Sequence, residues 1–178
     1  MNPEQQSPES EPLFKELAQE LLQMSEADQT IRREERWLDA EKIDQANTER
    51  LKKIIADIGW PSKTRVGEGA AHAAWLIVQH ADSDPEWQAE CLQLMKQESA
   101  QEVATEDVAY LEDRVLVAQG KPQRFGTQFY VNEQGVYGPQ ELDDVGNLEQ
   151  RRIDAGMEPF SEYKDVLEKA WADRKIRE

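Results

Sequence analysis

The chain has 178 residues, of which 37 are acidic and 21 basic, so its formal net charge is −16. Such a charge repels the phosphates of nucleic acids and the headgroups of anionic lipids, and we see no run of basic residues to offset it. We therefore expect neither nucleic acid nor a membrane as a partner. With 38% hydrophobic and 33% charged residues, the sequence predicts a small core beneath a heavily charged surface.

The N-terminal end predicts a flexible tail over residues 1–11, because it is rich in Pro, Ser, Gln and Glu and contains no aromatic residue. It lacks the basic region and apolar stretch of a signal peptide, and no apolar run approaches the ~20 residues that span a bilayer. We expect a cytoplasmic protein. The lone Cys91 cannot form an internal disulfide and lies on an apolar helical face.

Residues 12–178 are predicted to form a single α-rich domain. Leu13, Leu17 and Leu21 recur at intervals of four residues, which indicates a helix to about residue 36. We interpret the polar stretch 28–33 as the solvated face of this helix.

The next two predicted helices flank a short loop at residues 61–68. Residues 41–58 carry an apolar face and are followed by Gly59, a common helix terminator. The central helix follows the loop and runs to about residue 81. It holds the most apolar run of the chain, residues 75–82, which ends in polar side chains.

Local signals place two more helices after the central one. Asp84 is a suitable N-cap and Pro85 a suitable first residue for a helix over residues 85–98. Thr105 is a suitable cap for a helix over residues 106–119.

A β-hairpin is predicted between residues 125 and 137. Apolar and polar residues alternate over 125–131, and a turn follows at 132–135. Beyond it, Asp143 or Asp144 caps a helix to residue 155, and Pro159 opens a last helix. The fold class is therefore mainly α: a single-domain bundle of six or seven helices with one small β-hairpin.

Four separated stretches resemble one family. They are residues 59–61 (Gly-Trp-Pro), 74–82 (Ala-Trp-Leu-Ile-Val-Gln-His-Ala-Asp), 109–115 (Ala-Tyr-Leu-Glu-Asp-Arg-Val) and 120–128, which end in Gly-Thr-Gln. Asp28, Gln29 and Arg32 add weaker support. The sequence resembles a bacterial family of small proteins of unknown function, over about residues 25–165. The resemblance implies a shared fold and a recurring polar set, and implies no activity.

The polar residues of those stretches form the candidate site, because packing alone does not call for repeated amide, imidazole, carboxylate and guanidinium groups. His80 is the candidate general acid or base, with Asp82 or Asp113 as the carboxylate that orients it. Arg114 is the candidate anion clamp. The other candidate ligand-binding residues are Gln79, Gln123, Thr127 and Gln128.

The predicted ligand of this site is a small anionic or amide-bearing molecule; hydrolysis of the ligand, transfer of a group from it, and binding alone are the three alternatives. Structural alternatives stay open: His80 as a core histidine, and Asp113 with Arg114 as an ion pair or network that ties the hairpin to the helices. The sequence therefore leaves enzyme and binding protein both open.

No cofactor and no metal are predicted. With two histidines and one cysteine, a set of zinc ligands cannot be assembled without carboxylates, although a carboxylate-rich Mg²⁺ or Mn²⁺ site remains an alternative. There is no phosphate-binding loop and no Gly-x-Ser-x-Gly elbow. A second function is also compatible with the charge: an acidic interaction module that masks a basic protein partner, as a toxin-neutralising (immunity-type) protein does.

Overall fold

The computed structural model describes residues 11–175, so the predicted flexible tail lies, apart from Glu11, outside the described residues. The chain forms two compact units. The first comprises the described residues up to Ala81 together with Gln101–Val103, and the second comprises Asp82–Ala100 and the residues from Ala104 onward.

The first unit contains four helices: α1 (Lys15–Arg33), α2 (Trp37–Ile58), α3 (Lys63–Val66) and α4 (Glu68–Gln79). Helix α1 packs against both α2 and α4. Buried Ala70, Ala73 and Ala74 on α4 present only methyl groups, which lets neighbouring helices pack close to its backbone. Leu21 of α1 and Leu51 of α2 are fully buried in this core.

Two sequence expectations for the first unit were wrong. The segment 61–68 contains the single turn of α3, where a loop was predicted. The stretch 28–33 is also not simply a solvated face, because Asp28 is only 3% exposed and Ile31 is buried beside it. A polar side chain on a helix was taken as solvent-facing, whereas Asp28 is buried against Arg32 of its own helix and against His80 at the end of α4.

The second unit contains α5 (Pro85–Gln97), α6 (Thr105–Ala118), β1 (Phe129–Val131), β2 (Tyr137–Pro139), α7 (Leu148–Asp154) and α8 (Phe160–Lys175). A 3₁₀ turn over Val145–Asn147 precedes α7. Asp84 caps α5 as predicted, since its carboxylate accepts a hydrogen bond from the backbone of Trp87. Thr105 does not cap α6: it is the first helical residue, and its hydroxyl donates to the carbonyl of Ala155 instead.

The predicted hairpin is present but shorter. Phe129 pairs with Pro139 and Val131 with Tyr137, in antiparallel register. Asn132 Oδ1 accepts the backbone N–H groups of Gln134 and Val136 and so closes the turn. The first strand does not begin at residue 125, because residues 123–128 form a loop held by buried side chains. We call this segment the 123–128 loop.

The predicted fold class, mainly α with one small hairpin, is confirmed. Within residues 11–175 there are eight α-helices, and the single turn of α3 accounts for the difference from the predicted number. Among those same residues, no helix combines the length and apolarity that crossing a membrane requires.

Candidate functional site

The predicted site residues are distributed over both compact units. Gln79 and His80 belong to the first unit, at the end of α4. The other six belong to the second unit; they are Asp82, Asp113, Arg114, Gln123, Thr127 and Gln128. Each group is best understood through the partners that its own unit provides.

His80 is held beside a buried carboxylate of α1. Its Nδ1 lies 2.9 Å from Oδ2 of Asp28, whose side chain is 4% exposed, whereas the imidazole is 19% exposed. Although the two atoms are close, the contact does not meet the geometry of a hydrogen bond, and poorly aligned contacts are common in ligand-free sites. The carboxylate at Nδ1 is thus that of Asp28, where the sequence analysis expected Asp82 or Asp113.

Asp28 is in turn held by its own helix and, through Arg32, is linked to α2. Arg32 Nε donates to Asp28 Oδ1 at 2.8 Å, and its Nη2 donates to both oxygens of Asp44 at 2.6 and 2.7 Å. Gln29 Nε2 lies 3.1 Å from Asp28 Oδ2. The result is a continuous chain of groups from Asp44 through Arg32 and Asp28 to His80, which we call the His80 cluster.

Burial and charge act in opposite directions on the Asp28 carboxyl. Burial raises its pKa, but the contacts with His80 and Arg32 outweigh burial and lower the pKa to about 2. For Asp44, burial dominates over Arg32 and raises the pKa. Asp28 is therefore ionised at neutral pH and can only accept hydrogen bonds.

One nitrogen of His80 remains available for a ligand. Hydrogen bonds within residues 11–175 leave its Nε2 unused. Because about a fifth of the side chain is exposed, the imidazole is partly accessible from solvent while its other nitrogen is held by Asp28. A histidine so arranged is suited to transferring a proton at Nε2.

The same cluster contains the atoms that could hold a metal. One ligand atom each from Asp28, Asp44 and His80 lie within 4.8 Å of one another, a set that would suit a divalent cation. However, Arg32 already lies between the two carboxylates and supplies positive charge there. A cation at this position would have to displace the guanidinium, so the geometry favours the ion-pair arrangement.

An open groove of about 410 Å³ also lies in the first unit, beside α3. Its lining residues are Glu11, Pro12, Lys63, Thr64, Gly67, Glu68, Gln101 and Glu102. None of them belongs to the predicted site. Glu102 is engaged there by the backbone N–H and hydroxyl of Thr64.

In the second unit, Asp113 is completely buried and is surrounded by donors of the 123–128 loop. Its oxygens accept the backbone N–H groups of Arg124 (2.7 Å), Phe125 (3.0 and 3.1 Å) and Thr127 (3.0 Å), and the Thr127 hydroxyl (3.0 Å). Burial raises the pKa of Asp113 in spite of these donors. The contacts correspond to the structural alternative, in which Asp113 ties a loop to α6.

Gln123 holds the same loop from within. It is fully buried, its Oε1 accepts from the backbone N of Gln128 (2.8 Å), and its Nε2 donates to the carbonyls of Gln128 (2.9 Å) and Gln140 (3.0 Å). The Gln128 amide donates to Thr127 Oγ1 at 3.0 Å. The amide of Gln123 therefore substitutes for the backbone hydrogen bonds of a strand.

A buried arginine completes the support of the 123–128 loop. Arg152 is fully buried and donates to the carbonyls of Phe125 (2.5 Å) and Glu158 (2.7 Å). Its guanidinium also lies 4.8 Å from the centre of the Tyr163 ring, a cation–π distance. The charge is thus compensated by carbonyl oxygens and an aromatic face.

Asp82 and Arg114 form an ion pair near the surface of the second unit. Arg114 Nη1 lies 2.6 Å from Asp82 Oδ1, and the Gln88 amide lies 3.4 Å from the same oxygen. The Asp82 side chain is 68% exposed. Asp82 and Arg114, predicted as a catalytic residue and an anion clamp, are therefore brought together and pair with each other.

Sequence reasoning missed three members of the His80 cluster: Asp28, Arg32 and Asp44. A signal existed for the first two, since they are four residues apart on one helix face and belong to the weaker part of the family resemblance. For Asp44 the sequence offers no such signal, because its partner comes from another helix.

Comparison with protein families shows that the chain belongs to a family of unknown function, DUF6624, whose model matches residues 15–176. Neither the curated proteins nor the solved structures contain a match. The predicted membership of a family of unknown function is thereby confirmed, and the family description carries no activity.

Proposed function

We propose that this member of the family binds a small amide-bearing ligand at His80 and hydrolyses it or transfers a group from it, with His80 as general acid and base. Asp28 acts as the residue that orients the imidazole. The observation that carries the proposal is the 2.9 Å contact between Asp28 Oδ2 and His80 Nδ1, beneath a partly exposed ring.

The ionised state of Asp28 determines which nitrogen can act as a base. Since the pKa of Asp28 lies well below its usual value, its carboxylate accepts and cannot donate at neutral pH. In the neutral imidazole, the hydrogen is therefore favoured on Nδ1, and the lone pair lies on Nε2. This is the tautomer that a general base requires.

The charges of the cluster favour an uncharged ligand over an anionic one. With a neutral imidazole, the two carboxylates of Asp28 and Asp44 and the single guanidinium of Arg32 leave one net negative charge. Arg32 is occupied by both carboxylates and is not free to clamp an anion. The overall charge of −16 acts in the same direction. Of the two ligand classes expected from the sequence, the amide is therefore the better fit.

In the hydrolytic form of the reaction, Nε2 of His80 takes a proton from a water molecule. The water oxygen forms a bond to the amide carbonyl carbon. When the carbon–nitrogen bond breaks, the imidazolium returns its proton to the departing nitrogen, so the histidine is regenerated. Asp28 stabilises the imidazolium while it exists.

The test is a thermal-shift and hydrolysis screen of small amides, with matched carboxylates as the comparison. We expect amides to raise the melting temperature of the wild-type protein. We expect His80→Gln to lower the rate of hydrolysis about 100-fold or more. His72→Gln is the matched control, because His72 is the other of the two histidines and is absent from the cluster.

The proposal fails if His80→Gln remains folded and responds to the same amides with the same turnover. It also fails if carboxylates alone stabilise the protein. If no small molecule binds and a basic protein is captured through surface carboxylates, the interaction-module function replaces it.

A further inference from the structure

We propose that Arg32 and Asp44 are positioning residues that set the tautomer of His80, an inference that rests on the function proposed for His80. Neither residue needs to touch the ligand. They act through Asp28, by holding its carboxylate in the orientation that places one oxygen against the imidazole. The proposal is carried by the arrangement of the guanidinium between two carboxylates from different helices.

The two oxygens of Asp28 have separate partners. Oδ1 accepts from Arg32 Nε, whereas Oδ2 lies against His80 Nδ1 and accepts from Gln29 Nε2. The last side-chain torsion of an aspartate otherwise has a broad and roughly two-fold distribution of angles. Because Arg32 holds one oxygen, the other is kept towards the histidine.

Asp44 holds Arg32 in the orientation that this requires. Both oxygens of Asp44 lie within 2.7 Å of Arg32 Nη2, so a residue of α2 orients the guanidinium. The Nε atom of the same guanidinium donates to Asp28 of α1. A guanidinium is planar and presents its donors in a rigid fork. A lysine at this position would keep the charge and lose the fixed angle between the two contacts.

The charge of Arg32 has a second effect. The Asp28 side chain is only 4% exposed, and an ionised carboxylate with that burial needs a compensating charge or it becomes protonated. A protonated Asp28 could donate a hydrogen bond to the histidine and would favour the wrong tautomer. Arg32 therefore keeps Asp28 an acceptor as well as keeping it in place.

A matched control exists between the same two helices. Arg50 of α2 binds Glu20 of α1 through two contacts, at 2.6 and 2.7 Å, and neither residue belongs to the His80 cluster. Arg50→Gln removes one interhelical ion pair between α1 and α2 without touching Asp28. It separates loss of helix contact from loss of positioning.

The experiment is an NMR measurement of the ring nitrogens of His80, with His72 as an internal reference because the chain has only two histidines. In the wild type we expect the tautomer with hydrogen on Nδ1 to exceed the other about tenfold. Arg32→Gln should lower this ratio about tenfold, and Asp44→Asn should lower it less. The ratio in Arg32→Lys should lie between those of the wild type and Arg32→Gln. Arg50→Gln should leave the ratio unchanged.

Equal ratios in wild type, Arg32→Lys and Asp44→Asn would overturn the inference, and these two variants serve if Arg32→Gln does not fold. A shift in Arg50→Gln as large as in Asp44→Asn would also overturn it, since helix contact alone would then explain the result. The two proposals fail separately. If the Arg32 and Asp44 variants keep the wild-type tautomer ratio while His80→Gln loses hydrolysis, the positioning role alone is rejected. If the tautomer ratio shifts in the Arg32 and Asp44 variants while His80→Gln responds to ligands as the wild type does, the proposed function alone is rejected.

Discussion

Two of the buried aspartates, Asp28 in the first compact unit and Asp113 in the second, have surroundings that differ in kind. Asp28 of α1 is contacted by the side chains of Arg32 and His80, both of which are partly exposed. Asp113 of α6 is contacted mainly by backbone N–H groups of the 123–128 loop and is completely enclosed. The pKa of the first carboxyl is lowered and that of the second is raised.

The difference separates a carboxylate placed to act on a titratable neighbour from one whose contacts order the backbone. A carboxylate bound to backbone amides orders the chain but has no titratable partner through which to act. A carboxylate bound to an imidazole whose other nitrogen is unused can influence a proton transfer. Burial of an aspartate alone does not distinguish the two, whereas the identity of its donors does.

Replacing Asp113 should have the largest effect on stability. Asp113→Ala leaves the N–H groups of Arg124, Phe125 and Thr127 without their acceptor in a buried site. We expect the free energy of unfolding to fall by about 3–5 kcal/mol, measured by urea denaturation. Asp82→Asn, at an exposed carboxylate of the same unit, is the control. A loss below 1 kcal/mol for Asp113→Ala would remove its assigned structural role.

Gly126→Ala should have the second-largest effect on stability, because the 123–128 loop has no room for a methyl group at this position. The backbone of Gly126 has φ +73°, and an added Cβ would lie 2.5 Å from the Phe160 ring. We expect a loss of about 2–4 kcal/mol. Gly120→Ala separates strain from collision, since Gly120 has φ +68° with no atom within 4 Å of an added Cβ. Equal losses in both variants would show that the collision contributes nothing.

Asp28 should contribute stability in a defined pH window. Its folded pKa is about 2, below the ~3.9 of an unfolded aspartate, so its contribution is present above about pH 4 and is lost as the pH falls towards 2. Asp28→Asn should therefore cost about 2 kcal/mol at pH 6 and progressively less below pH 4. Thermal denaturation between pH 2 and 6 measures this.

The pKa of Asp113 is shifted in the opposite direction from that of Asp28, so its ionisation should have the opposite effect on stability. Because its folded pKa is raised, its ionisation weakens the folded state as the pH rises through that value. The pH profile of Asp113→Asn should therefore diverge from that of Asp28→Asn. Parallel profiles would contradict the distinction between the two carboxylates.

The ion pair of Asp82 and Arg114 should have the smallest effect. Asp82 is 68% exposed, so solvent and salt screen the attraction. We expect Asp82→Asn to change the free energy of unfolding by less than about 1 kcal/mol, and less still in 1 M NaCl. A salt-independent loss above 2 kcal/mol would indicate a buried role that the exposed fraction does not suggest.

The sequence alone determined the local features of this protein. The helices follow from apolar spacing, the α5 cap from Asp84 ahead of Pro85, and the hairpin from alternation around a turn at residues 132–135. It also singled out His80. The predictions of the helices, the cap and the hairpin succeeded because their causes, side-chain periodicity and capping, act within a few residues along the chain, whereas the role of His80 stays a prediction.

Only the tertiary structure decided which partners the polar residues contact. Asp28 was taken as solvated and Asp113 as catalytic, because in sequence both are simply acids on helices. Their roles depend on donors supplied from elsewhere in the chain, the imidazole of His80 for one and the 123–128 loop for the other. Hydrogen bonds and burial depend on distances in space, and separation along the chain does not fix those distances.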